Sequence, residues 1–167
     1  MAVDFAYKLR ARSGKGWAIR NIKLRMSRKL LYVAGLLGCF QCHLGMTKDE
    51  RSAVFGDEGL RLSVVNWVAE DVFSNTPLDI VAGFLLGHIH LHKTALQLFT
   101  SYDQFLVMLS DPDLRHHLEE LSEGSADSDD QYRKARELSH NFRDALLELF
   151  FDEESGLAKL TRLYGVF

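Results

Sequence analysis

The sequence has little of what marks disulfide-rich, β-sheet or membrane-spanning proteins. Its 167 residues include two cysteines and two prolines, and no stretch alternates apolar and polar residues over more than seven positions. The scarce cysteines exclude a disulfide scaffold, and the short alternating runs give β-strands little support. Because 47% of the residues are hydrophobic, the chain can build one buried core. The helical spacing of its apolar residues predicts one all-α domain over residues 1–167, a compact bundle of about six to eight helices without a sheet.

Motifs of the common enzyme classes are missing as well. The chain has no G-x-S-x-G, no glycine-rich phosphate loop and no H-E-x-x-H, so a binding or regulatory module is favoured over an enzyme, with no cofactor. No secretion signal is recognisable, which favours a cytoplasmic location and argues against membrane insertion. The apolar residues 163–167 leave open whether the chain continues into a larger protein. The sequence also leaves open whether the protein forms a homo-oligomer.

Charge is distributed very unevenly along the chain. Residues 1–48 contain ten Lys and Arg against one acid, whereas residues 49–167 contain ten against twenty-two, giving net charges of +9 and −12. This asymmetry predicts that a basic N-terminal helical segment, residues 1–46, binds an anionic partner, either nucleic acid or an acidic protein. The alternative is neutralisation of the segment by the acidic part of the same chain. The candidate anion-binding residues are Arg20, Lys23, Arg25, Arg28, Lys29, Arg136 and Arg143.

Apolar residues at steps of three and four predict a long helix over residues 19–44. Gly35 and Gly38 in its second half indicate either a kink or the close approach of a neighbouring backbone. Cap-type residues Thr47, Thr76 and Asp111 predict further helix starts, and the helix after Thr76 is expected to reach about residue 99. The acidic, apolar-poor residues 122–130 are expected to form a mobile loop. The predicted core contains Ile22, Met26, Leu30, Val33, Leu37, Trp67, Leu85, Ile89, Phe142 and Leu149.

Cys39, Cys42 and His43 have the spacing that attaches a c-type haem, in which two thioethers hold the cofactor and the histidine supplies an axial ligand. Haem attachment generally needs export, and the cysteines fall opposite the apolar stripe of their predicted helix. We therefore predict reduced thiols without haem. A redox pair or a metal site is the alternative, although zinc would need two further ligands.

Three histidines lie close together at positions 88, 90 and 92. On one helix, His88 and His92 would share a face, as two ligands of one metal ion do. His43, His116, His117 or a carboxylate would have to supply a third ligand. The favoured prediction is no metal, with partly buried histidines that hydrogen-bond their neighbours, and a metal-dependent enzyme is the alternative.

A basic stripe lies late in the chain, formed by Arg133, Arg136, His140 and Arg143. Arg133 and His140 enclose six residues, which resembles the Arg-x(4–6)-His signature of HEPN-type ribonucleases, all-helical domains whose His and Arg assist attack by the RNA 2′-hydroxyl. The resemblance covers eight residues, and Lys134 stands where that family prefers Asn, Asp or His. It implies an RNA-cleaving enzyme as an alternative function. Pairing of the stripe with Glu137 and Asp144 on an exposed helix face is the simpler interpretation.

Overall fold

The structure, a computed structural model, describes residues 15–165, without the side chains of Phe55, Trp67 and residues 71–73. The described residues are 84% helical and contain no strand, so the predicted all-α fold is confirmed. The first elements are α1 (Trp17–Lys23), a π-helical segment (Leu24–Arg28), α2 (Lys29–Leu44), α3 (Lys48–Gly56) and α4 (Glu58–Ser74). They are followed by α5 (Pro77–Leu86), a 3-10 turn (Ile89–Leu91), α6 (His92–Ser110), α7 (Pro112–Glu120), α8 (Glu123–Ala126), α9 (Asp130–Phe150) and α10 (Leu157–Tyr164).

Side-chain caps begin several helices at the predicted places. Thr47 and Thr76 each form a capping box with the carboxylate three residues further on. Asp111 accepts hydrogen bonds from the backbone N–H groups of Asp113 and Leu114. These contacts satisfy N–H groups that the first turn of a helix leaves unpaired. The helix starts predicted at Thr47, Thr76 and Asp111 are therefore confirmed.

The helices pack into two compact units, each assembled from separate stretches of the chain. Unit 1 contains, within the described range, residues 15–28 and 96–145, and unit 2 contains residues 29–95 and 146–165. The chain thus passes from one unit to the other three times. The single domain predicted over residues 1–167 stays a prediction.

In unit 1, α1 packs against α7 and α8. Gly16 precedes α1 with a φ of 77°, a left-handed conformation that favours glycine, and its N–H donates a hydrogen bond of 2.6 Å to the carbonyl of Glu119. Three aromatic rings pack together, because the Tyr102 ring centroid lies 5.6 Å from Phe105 and 5.7 Å from Phe142. Other fully or nearly fully buried residues of this unit are Ile22, Met26, Leu98, Leu118, Tyr132 and Ala145.

In unit 2, α2 packs against both α4 and α5, and α3 packs against α4. The rings of Phe40 and Phe150 meet edge to face with centroids 6.3 Å apart, an arrangement that aromatic pairs prefer. Other buried residues of this unit are Leu30, Val33, Leu37, Val81, Phe84, Leu85, Leu91, Leu146, Leu149, Leu157 and Leu160.

Eight of the ten predicted core residues are buried. The prediction for Ile89 is wrong, since its side chain is 87% exposed. The side chain of Trp67 lies outside the described part of the chain. The error at Ile89 arises because the helix predicted to reach residue 99 ends at Leu86 and the chain bends through Gly87 into a 3-10 turn. The bend changes the register, so Leu91 occupies a buried position instead.

The long first helix also departs from its prediction. Its α-helical geometry is interrupted by the π-helical segment rather than by a kink at Gly35 or Gly38, which lie inside α2. The last residue of the predicted apolar stripe, Leu44, is 41% exposed. A π-helical turn inserts extra backbone into a helix and often accompanies a functional position.

Residues 122–130 are not a plain loop. They contain the short helix α8, and its last residue, Ala126, is only 1% exposed. Asp129 accepts a bond of 2.8 Å from the backbone N–H of Tyr132 and lies 2.7 Å from Nε2 of His117. The predicted loop is therefore partly helical, and its mobility stays a prediction.

Candidate anion-binding site

The basic stripe of α9 is partly accessible. The side chains of Arg136 and Arg143 are 43% and 48% exposed, and His140 is half-buried between them. Residues three and four apart on a helix lie on the same face. This face therefore presents two guanidinium groups and an imidazole to solvent.

Arg25 reaches the same region of unit 1 from the π-helical segment. Its Nε donates a hydrogen bond of 2.8 Å to Oδ1 of Asn21, and the hydroxyl of Tyr132 donates one of 3.1 Å to the same oxygen. The Trp17 ring packs on the Tyr132 ring, with centroids 5.7 Å apart. Asn21 thus ties the N-terminal segment to α9, so residues more than a hundred positions apart form one surface. We call Arg25, Arg136, His140 and Arg143 the basic cluster.

The pKa of His140 is shifted by burial and by the charges of the surrounding basic cluster. Burial lowers the pKa of His140 below its usual value, and the positive charges of Arg143, Arg136 and Arg25 lower it further. Asp144 acts in the opposite direction. Burial raises the pKa of Tyr132, which the charges of Arg25 and Arg136 oppose. The neutral form of His140 is therefore favoured within a concentration of positive charge.

Acidic side chains accompany the basic cluster at its outer edge. Asp127 pairs with Arg136 at 2.7 Å, and Asp144 accepts two bonds from Arg143. The side chain of Asp127 is 85% exposed and that of Asp144 is 49% exposed. These pairs lie in water, where exposed ion pairs contribute about 0–1 kcal/mol.

The remaining predicted anion-binding residues lie elsewhere along the N-terminal helices. Arg20 and Lys23 belong to α1, Arg28 ends the π-helical segment, and Lys29 begins α2 in unit 2. Phe5 and Tyr7, the aromatic residues nearest the start of the basic segment, lie outside the described residues.

Arg133 and His140 lie on the same helix. The two residues are seven positions apart on α9, a rise of about 10 Å at roughly 1.5 Å per residue. Arg133 pairs with Asp130, three residues before it. The charges that act on His140 are those of Arg25, Arg136, Arg143 and Asp144. The RNA-cleaving alternative that this spacing implies stays a prediction.

His88 and His92 do not share a helix face, so the geometry assumed for a metal pair is wrong. His88 lies in the break after α5, where Nδ1 is 2.8 Å from the carbonyl of Phe84 and the ring stacks on the Phe84 ring at 4.2 Å. His90 faces Asp152 and Glu154 at 3.1 and 3.5 Å. Within residues 15–165, no group of three or more His, Cys, Asp or Glu side chains is arranged to hold a metal ion.

Cys39 and Cys42 are free thiols on α2, the first exposed and the second part-buried. Burial raises the pKa of Cys42, and the neighbouring Cys39 adds to this rise. Burial, Arg51 and Lys159 lower the pKa of His43. The thiols line a cavity of about 370 Å³ in unit 2. The absence of haem stays a prediction.

Sequence reasoning missed two residues that build the basic cluster, Asn21 and Tyr132. Both look ordinary in the sequence, since a single polar or aromatic residue on a helix carries no spacing signal. Their importance comes from a contact between positions 21 and 132, which only the folded chain shows.

No single described helix is long and apolar enough to cross a bilayer. The helical stretches Trp17–Leu44 and Lys48–Val54, which meet at a bend of 110°, are long and apolar enough only when they are taken together.

Comparison of the chain with protein-family models, with curated proteins and with solved structures finds no match in any of the three.

Proposed function

We propose that this protein is a helical binding module whose basic cluster binds the phosphodiester backbone of a nucleic acid. The observation that carries the proposal is the meeting of two separate elements at Asn21, whose Oδ1 accepts hydrogen bonds from Arg25 and from Tyr132 of α9. Arg25 thereby joins Arg136 and Arg143 around the half-buried His140. A guanidinium group has a planar set of donors that matches phosphate oxygens, and clustered arginines are typical of phosphate recognition. We further propose a regulatory rather than catalytic role and a cytoplasmic location.

The acidic neighbours of the cluster are compatible with phosphate binding. Asp127 and Asp144 are exposed, so their pairs with Arg136 and Arg143 contribute little to stability. Neutralising a phosphate also releases counterions from the nucleic acid, which favours binding at low salt. A polyanion can therefore replace these carboxylates at the arginine side chains.

The cluster supports recognition of the backbone rather than of bases. Trp17 and Tyr132 pack their rings on each other, and Tyr132 is 3% exposed. A base therefore has no access to the Tyr132 ring, whereas stacking would require an open aromatic face. Contacts to phosphate carry no sequence information directly. We expect binding with little sequence preference and a strong dependence on salt.

The test is a titration with a labelled oligonucleotide at several salt concentrations, comparing wild type with R136Q/R143Q. The log–log slope of affinity against salt should flatten by about 1.4–1.8, because each phosphate contact contributes about 0.7 on single strands and about 0.9 on duplex DNA. The matched control is R115Q/R162Q, which removes two exposed arginines of α7 and α10 that pair with Glu119 and Glu153. The control should keep the wild-type slope.

Two outcomes would contradict this function. Equal salt slopes for wild type and R136Q/R143Q would exclude phosphate contacts at the cluster. Binding of a poly-glutamate peptide as tightly as the oligonucleotide would indicate an acidic protein as the partner instead.

A second readout is an NMR titration of the His140 imidazole. The pKa of His140 should rise when the oligonucleotide is bound, because nearby phosphate charge favours the protonated form.

A further inference from the structure

We propose that Cys39, Cys42 and Met46 form a binding site for a soft monovalent metal ion of the Cu(I) type. The site lies in unit 2 and is independent of the basic cluster. The side chains of all three residues line the cavity of about 370 Å³ beside the end of α2, together with His43, Lys48 and Arg51. Cys42 and Met46 also line an adjoining cavity of about 340 Å³. The sulfur-bearing side chains of three residues thus border one open space.

The backbone places these three residues on one side of the helix end. Cys39 and Cys42 are three residues apart on α2, so their side chains lie on neighbouring turns of one face. Met46 follows four residues after Cys42, in the turn between α2 and α3. Met46 lies beyond the helix, and the shared cavity places it beside the two cysteines.

The turn that carries Met46 is held from both sides. The N–H of Gly45 donates a bond of 2.9 Å to the carbonyl of Gln41. From α3, Nη1 of Arg51 donates to the carbonyl of His43 at 3.0 Å and to the carbonyl of Met46. The capping box of Thr47 then begins α3 directly after Met46. The backbone at Met46 is therefore held by hydrogen bonds within the chain itself.

The donor set selects the kind of ion. Thiolate and thioether sulfur are soft ligands that favour Cu(I), whereas structural zinc generally takes four Cys, His or carboxylate ligands. The described residues offer no group of three such side chains with suitable geometry. The third donor is the thioether of Met46, which a soft ion accepts and a hard ion does not.

The charges around the cavity are consistent with this complex. Binding through two thiolates releases two protons to solvent, because each thiol must lose its proton to become a ligand. Two thiolates and one monovalent ion carry a net charge of −1. Lys48 and Arg51 line the same cavity and attract that charge. Cys39 is exposed, so an incoming ion can exchange onto the site from solvent.

The experiment is a titration with Cu(I), supplied anaerobically from a complex with a chromophoric chelator. Wild type should bind one ion per chain and release about two protons per ion. Cys39→Ser and Cys42→Ser should each weaken binding by more than about 100-fold, which exceeds the 10–100-fold cost of losing an outer-shell partner. Met46→Leu should weaken it by about 10-fold, as expected for a weaker thioether ligand.

The matched control is Met108→Leu, which changes a half-buried methionine of α6 in unit 1. It should keep the wild-type affinity, and thermal unfolding checks that every variant is folded. The proposal is overturned if Met46→Leu binds like Met108→Leu, or if either serine variant keeps the wild-type affinity. Binding of Zn(II) as tightly as Cu(I) would also overturn it, because the donor set predicts preference for the softer ion.

Discussion

Thr161 in α10 carries a buried hydroxyl with no hydrogen-bond partner within residues 15–165. Burying a hydroxyl without a partner costs free energy that a methyl group of similar size does not cost. We expect Thr161→Val to raise the free energy of unfolding by about 1 kcal/mol, measured by urea denaturation.

Thr94 provides the matched control for Thr161. It is also buried, but its hydroxyl donates a bond of 3.0 Å to Glu148. Thr94→Val should lower the free energy of unfolding by about 1 kcal/mol, since it removes a made hydrogen bond. A change of the same sign in both variants would show that the hydrogen bond does not decide the effect.

Two histidines should make stability depend on pH. The pKa values of His43 and His140 lie below the ordinary value of 6.5, mainly because both rings are partly buried. The unfolded chain therefore binds these protons more readily than the folded chain. Their contribution to stability is fully present above pH 6.5 and is lost as the pH falls through the lower folded-state values.

The measurement is the melting temperature between pH 7 and pH 5 for wild type and H43Q/H140Q. The wild type should lose more stability over this interval than the variant, because the variant lacks both titrating rings. Carboxylates with lowered pKa values, such as Asp152 and Glu50, lose their contribution at more acidic pH. Identical pH profiles of the two proteins would contradict the assignment to these histidines.

At the scale of helices, features set by neighbouring residues could be predicted and features set by distant contacts could not. The caps at Thr47, Thr76 and Asp111 depend on residues within three positions, so the sequence displays them directly. After Leu86 the helix ends and the chain bends into a 3-10 turn, although the apolar spacing of the sequence continues. Nothing in the local spacing distinguishes this bend from a continuing helix, which explains the error at Ile89.

The candidate site shows the same division. The sequence predicts the stripe of α9 and the basic N-terminal segment as separate features, because each follows from helical spacing or charge. Their meeting depends on Asn21, which accepts bonds from both Arg25 and Tyr132. A contact between such distant positions leaves no periodic pattern in one sequence. For the same reason, the cavity lining could not be foreseen from the Cys39 and Cys42 spacing alone.

For the whole molecule, the charge difference of +9 against −12 between residues 1–48 and 49–167 is the main feature that acts over distance. Lys15 of the basic segment pairs with Glu120 at 2.7 Å. Arg143 and Arg162, by contrast, pair with acids of the acidic part itself. Exposed ion pairs contribute about 0–1 kcal/mol each to stability. Pairing within the chain therefore does not explain why positive charge is concentrated in residues 1–48.

The whole-molecule prediction uses the variant R20Q/K23Q/R25Q/R28Q. If the basic segment binds an external polyanion, the log–log salt slope for oligonucleotide binding should flatten by roughly two to four units, because most of these side chains would then neutralise phosphates. If the acidic part of the chain neutralises the segment, the variant should lose thermal stability and keep the wild-type slope. Melting curves and salt titrations of the same samples separate the two cases. We expect the flattened slope, because the release of counterions makes contacts to a polyanion favourable. Exposed ion pairs within one chain, by contrast, add little to the free energy of folding.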